Sequence, residues 1–156
     1  MYKILAIDPA TLSGWALSKD IYGTWNLRTR SDETWGMKLI RFKKHYTEVL
    51  DAYPSIEIVV YERPAGRNTR AIITQSKIIG VIESVAEQRG LEYKAFSAGE
   101  IKKFATGKGN CGKPAMIEAA REKYGYIGDD DNEADALHLL HLAKHVLLST
   151  TIRRTK

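Results

Sequence analysis

Apolar residues fall in three short runs before any helical spacing begins. Residues 2–7, 14–18 and 23–29 are rich in aliphatic and aromatic side chains and are separated by polar turn formers, Asp8-Pro9 closing the first. Runs this short, tightly connected, predict an antiparallel meander of three strands. From Asp32 to Ala52 the period changes: Trp35, Leu39, Phe42, Tyr46, Val49 and Leu50 recur at helical spacing, with Pro54 as a stop. Residues 56–61 are a β-branched run with Glu62 at its end, which predicts a buried strand. Ile72, Ile73, Ile78, Ile79, Val81, Ile82 and Val85 then predict a long helix from Thr69 to Arg89, closed by Gly90. Residues 91–96 read as a fifth strand. Ser97, with Glu100 three residues on, makes a capping box for a helix to about Ala105. Three glycines between Thr106 and Gly112 make a loop; Pro114 opens a helix to about Tyr124, and a last helix runs from Asp131 to about Leu148. Three strands in succession, followed by strands alternating with helices, predict an α/β fold. Its mixed five-stranded sheet has three antiparallel strands and then parallel ones, with helices on both faces.

Length and composition narrow the class. The 156 residues can bury one full core, and no repeat or flexible linker divides them, so we expect one domain over residues 1–150 and a basic tail over residues 151–156. With 44% hydrophobic and 28% charged residues, disordered, collagen-like and disulfide-scaffold classes are excluded. The first apolar run stops at Asp8, too early for a signal peptide, and nothing approaches 18 consecutive apolar residues. Cys111 stands alone, which suits a reducing compartment. The expectation is a cytoplasmic protein with no membrane partner.

Charge changes the picture through its distribution. Of the net +5, the segment Arg63 to Lys77 carries +4 and the segment Lys94 to Lys113 another +4, leaving the rest at −3. Either segment alone would pass for a solvated face. Two basic segments on a slightly acidic body point to a polyanion, and nucleic acid leads among those.

Candidate chemistry lies in acids at strand and helix ends. Asp8 closes ILAID and Glu62 closes IVVYE, while GDDDNEADALHLL places Asp131 and Asp135 four apart on one helix face, with Asn132 between them. Taken singly, these could be a turn former, a partner of Arg63 or Arg67, and a helix cap. Crowded together against a sheet, carboxylates require a compensating cation, and hard oxygen donors without a Cys/His set select Mg²⁺ or Mn²⁺ over zinc. His138, His141 and His145 follow at helical spacing on a mostly apolar helix and read as core residues; His138, one turn from Asp135, is the nearest to the acids.

The order of these segments resembles the RuvC-type Holliday junction resolvases, especially the short phage-encoded versions, from Lys3 to about Leu142. The resemblance is carried by ILAIDPATLSGWAL, VVYERPAGRNTRAII, IKKFATGKGNCGK and NEADALHLL. It implies an RNase H-like nuclease domain, a homodimer, and metal-dependent paired cleavage of four-way DNA junctions giving 5′-phosphate and 3′-hydroxyl ends. It further implies Asp8, Glu62 and Asp135 as metal-binding carboxylates around two Mg²⁺ or Mn²⁺ ions, and Lys102 and Lys113 as functional lysines, with Lys113 acting on the scissile phosphate. Arg67 and Lys108 fall where DNA phosphates would be held. Two positions depart from the pattern. Asn132 stands where the bacterial enzymes carry a carboxylate, so the fourth metal role passes to Asp131, and Ala65 replaces an aromatic residue used for stacking. A flap or branch nuclease of the same fold, or a non-catalytic junction-binding protein, are the rivals. An actin-like ATPase, which the Thr-containing turn after Asp8 also suggests, needs two large domains, so no nucleotide cofactor is expected.

Overall fold

The computed structural model describes residues 2–154, with side chains described through residue 147; the predicted tail at 151–156 lies largely outside the described side chains. Among the described residues the elements run β1 (Ile4–Asp8), β2 (Leu12–Ser18), β3 (Ile21–Asn26), α1 (Gly36–Ala52), β4 (Ile58–Glu62), α2 (Thr69–Arg89), β5 (Glu92–Phe96), α3 (Ala98–Thr106), α4 (Lys113–Tyr124) and α5 (Asp131–Arg154). The sheet order is β3-β2-β1-β4-β5. Pairings within β1, β2 and β3 are antiparallel, and β4 runs parallel to both β1 and β5. This is the predicted mixed sheet, an RNase H-like α/β fold.

Strand side chains alternate between faces, and here the two faces differ in size. Leu5, Ile7, Leu17, Val59 and Tyr61 form one core with Phe42, Tyr46, Leu50, Ile78, Ile82 and Val85, which belong to α1 and α2. Ala6, Ala16 and Val60 point the other way, into a core with Ile101 and Ala105 of α3, Met116 and Ala120 of α4, and the buried run Ala134 to Ala143 of α5. Small side chains on that face let α5 lie close against the sheet. The closest approach is at Gly14, where a Cβ would stand 1.9 Å from the Asn132 carbonyl oxygen. Glycine is required there by the packing of α5 on β2.

Two details differ from the sequence expectations. Helix α1 begins at Gly36 rather than Asp32 because Glu33 closes a turn: its carboxylate accepts from the Arg30 backbone N–H at 2.7 Å and from the Arg41 guanidinium. Helix α5 continues past Leu148 to Arg154. Of the apolar set that marks α2, Ile78, Ile82 and Val85 are buried in the core. Ile73 remains 47% exposed. No helix among the described residues is long and apolar enough to cross a membrane.

Candidate active site

The register of the sheet brings the first two acids together. β1 and β4 are neighbouring parallel strands with Ile7 opposite Tyr61, so Asp8 and Glu62 follow as the next pair, at the same sheet end. They share parity with Ala6 and Val60 and therefore face α5, over the thin side of the sheet. Asp135 comes from the first turns of α5, one turn after Asp131. All four carboxylates are half-buried at the mouth between sheet and helix.

Their mutual electrostatics report the closeness. Burial pushes Asp8 well above the usual carboxylate range, and the charges of Glu62, Asp135 and Asp131, with a hydrogen bond to Glu62, push it further. Glu62 is also raised by burial, with the hydrogen bond from Asp8 and the charge of Lys102 opposing. Asp135 is pushed up to about 7, first by burial, then by Glu62 and Asp131, while Lys102 and Lys113 pull it down. Lys113 Nζ pairs with Asp131 Oδ2 at 3.2 Å.

Sequence reading placed Asp8, Glu62, Asp131, Asp135, Lys102 and Lys113 in one site, and the fold brings them into electrostatic contact. Asn132 lines a separate groove with Ala10 and Thr11. Lys108 lies in the exposed α3–α4 turn, where its N–H meets Thr106 Oγ1 at 3.3 Å. Arg67 is exposed just before α2. His138 is core: fully buried, it donates from Nε2 to the Met116 carbonyl at 2.8 Å, and Nδ1 accepts from Tyr124 OH at 3.2 Å. Desolvation lowers its pKa, as a neutral histidine in that setting requires.

Residues missed by the sequence reading hold the start of α5 in place. Asp130 caps the helix, accepting from the Asn132 N–H at 2.8 Å and from Thr24 Oγ1 at 2.8 Å. Tyr126 OH accepts from the Asp130 N–H at 3.0 Å and donates to Glu133 Oε1 at 2.8 Å. The only sequence signal was an Asp immediately before the helix; Thr24 lies 106 residues away.

Among the described residues, no three His, Cys, Asp or Glu side chains stand in an arrangement that encloses an ion. The donor chemistry nonetheless fits a hard divalent cation. Asp8, Glu62 and Asp135 lie close enough that Glu62 and Asp135 raise Asp8 and Glu62 raises Asp135, and a cation would offset that repulsion.

A mixed sheet covered on both faces, with acids converging at the ends of β1 and β4 and on α5, defines an RNase H-like domain with an acidic centre. By sequence and by fold its homologues are the RuvC Holliday junction resolvases. The chain is 29% identical over 118 residues to the crossover junction endodeoxyribonuclease RuvC of Corynebacterium glutamicum, covering 75% of this chain and 52% of that protein. It is 33% identical over 82 residues to the Anaeromyxobacter sp. protein of that name, covering 51% and 44%. With the Brachyspira hyodysenteriae protein it shares 24% over 121 residues, covering 76% of each. The chain thus spans about half the length of the first two relatives. In structure it is similar to Thermus thermophilus RuvC in complex with Holliday junction substrate, with a TM-score of 0.68 at 20% identity over 87% of this chain and 88% of that one. No family model matches the chain.

Proposed function

We propose that this chain is a divalent-metal-dependent, structure-selective endodeoxyribonuclease that resolves four-way DNA junctions by paired nicking as a homodimer in the cytoplasm. The observation that carries the reading is the convergence of Asp8, Glu62 and Asp135 from three elements into one charge-coupled group with Lys102 and Lys113 beside it. The curated relatives named crossover junction endodeoxyribonuclease, and the solved RuvC with junction substrate, support it.

Asp8, Glu62, Asp135 and, as the fourth donor, Asp131 would hold Mg²⁺ or Mn²⁺, two ions per site. Bound there, the metal supplies an activated water and charge stabilisation at the leaving 3′ oxygen. The protein's own residues do the remaining work. Ionised Asp8 and Glu62 orient the donor oxygens toward the strand. Lys113, exposed and paired with Asp131, swings to the scissile phosphate and offsets charge developing on it. Lys102 favours the ionised forms of Glu62 and Asp135, and Arg67 and Lys108 hold flanking phosphates. Cleavage leaves 5′-phosphate and 3′-hydroxyl ends.

The test is incubation with Mg²⁺ and a labelled four-way junction, a flap and a linear duplex of shared sequence. Symmetric nicks in the junction alone are expected, with Asp8→Asn cutting roughly a thousandfold more slowly or less. Equal cutting of flap and junction would make the chain a general branch nuclease, and an Asp8→Asn protein cutting at the wild-type rate would remove the catalytic reading.

A further inference from the structure

A groove lies next to the acidic cluster without including it. It has a volume of about 780 Å³ and runs between the β1–β2 turn, the segment before α1 and the first turns of α2. Continuity with the acids is covalent on both sides: Ala10 follows Asp8 by two residues, and Asn132 is the neighbour of Asp131. Arg28, Lys38 and Arg70 line it, and no carboxylate does. Arg28 and Arg70 are exposed, so their guanidinium groups are available to a ligand. That is the charge pattern of a phosphate-bearing ligand.

The rest of the lining is not that of a simple backbone track. Trp35 forms one wall, with Lys77 Nζ 4.1 Å from the centre of its ring and Lys38 Nζ at 5.7 Å. Trp15 and Trp25, by contrast, stack on each other in and against the other core. Asn68, Gln75 and Asn132 add amide groups. Asn68 already spends its carbonyl oxygen on the Ala71 N–H, capping α2. Gln75 Oε1 is buried and has no hydrogen-bond partner. An orphaned buried acceptor is costly, and a groove that brings it a donor recovers that cost. Cations, an aromatic plane and amide groups, one with an orphaned oxygen, in one concavity match the three parts of a nucleotide: phosphate, base face and base edge.

We propose that this groove takes an unpaired nucleotide of the bound DNA strand and reads its base beside the cut. Arg28, Lys38 and Arg70 hold its phosphates, Trp35 stacks on the base, and Gln75 pairs with the base edge. A phosphate drawing Lys77 off the indole would clear that face for the base. The placement beside a cut rests on the nuclease reading above; binding of the nucleotide does not.

The experiment separates the two. Thymidine heptamers carrying a central 2-aminopurine are titrated with the full chain in EDTA, so that no cleavage contributes. Wild type is expected to quench the fluorescent base, and an abasic centre, followed by competition, should weaken wild-type binding about tenfold, the scale of one lost base stack. Trp35→Ala should weaken binding of the intact heptamer by the same factor and make it indifferent to the abasic change, whereas Trp35→Phe should restore binding to within about threefold. Equal affinity for intact and abasic heptamers in wild type would overturn the proposal without any variant. So would a paired duplex binding as tightly as the single strand, since the groove would then hold backbone only. On junctions differing solely at bases flanking the cut, Trp35→Ala and Gln75→Ala should level the wild-type preference. A uniform slowing on every sequence would overturn the specificity role. Failure of wild type to cut any junction would sink the nuclease reading and leave the heptamer titration to decide the groove.

Discussion

Four carboxylates at one mouth make protonation the sensitive property of individual residues. Asp8 and Asp135 both titrate above the carboxylate range, Asp135 at about 7, so without divalent cation the folded protein binds more protons than the unfolded chain. The stability these groups allow is complete below the unfolded pKa near 4 and is lost as pH rises through the folded values. Melting temperature in EDTA should therefore fall between about pH 5 and 8. Asp135→Asn should remove part of that fall and be more stable than wild type at pH 8 by roughly 1–3 kcal/mol. A flat wild-type profile in thermal melts would mean that the acids do not share one field. Asp131 and Asn132 separate at the same scale. Asp131 faces the other acids and pairs with Lys113, whereas Asn132 lines the neighbouring groove. Asp131→Asn should slow junction cleavage about tenfold, in the range of lost metal-site support, and Asn132→Asp should change the rate less. The reverse order in single-turnover rates would assign the fourth donor to position 132.

At the scale of elements, the site depends on how closely α5 lies against β2. The Asn132 carbonyl sits where a side chain at residue 14 would begin, and the Asp130, Thr24 and Tyr126 hydrogen bonds hold the first turn against the sheet. Backbone cannot give way as a flexible side chain can. Gly14→Ala is expected to cost about 3 kcal/mol or more and to displace the start of α5. Urea denaturation and cleavage should both register it, and a variant with wild-type stability would show that α5 has slack at this point.

For the whole molecule, the substrate's symmetry sets the expectation. Two equivalent strands of a four-way junction are related by a twofold axis, which a C2 pair of active sites matches. Once Ile78, Ile82 and Val85 are assigned to the core, α2 still presents Ile73, with Ile72 and Ile79 partly covered. Light scattering should give twice the chain mass, and Ile73→Glu should shift it to the monomer and abolish paired nicking. A wild-type monomer that still nicks both strands together would refute the interface. The basic loop is tested by salt: Lys108→Ala should lower the slope of log affinity against log salt by about 0.9, one duplex phosphate contact. An unchanged slope would move the DNA toward the segment from Arg63 to Lys77.

Local pattern determined much of this protein. The three apolar runs within residues 2–29, the Ser97–Glu100 capping box and the helix from Thr69 to Arg89 needed only neighbours within a few residues, and each appears in the fold. The acids of the site were legible because strand ends and a helix start are marked by the chain itself. Tertiary structure alone decided which acids meet. Asp8 and Glu62 converge because β1 and β4 pair in parallel with matched parity, a register set between strands 54 residues apart. Asp131 lies in the field of the other acids while the Asn132 backbone rests on Gly14, and Trp35 joins a groove with Arg70 and Gln75 from another helix. The difference is one of range: a pattern along the chain records which face of an element is apolar, but rotation and register come from the surface it packs against.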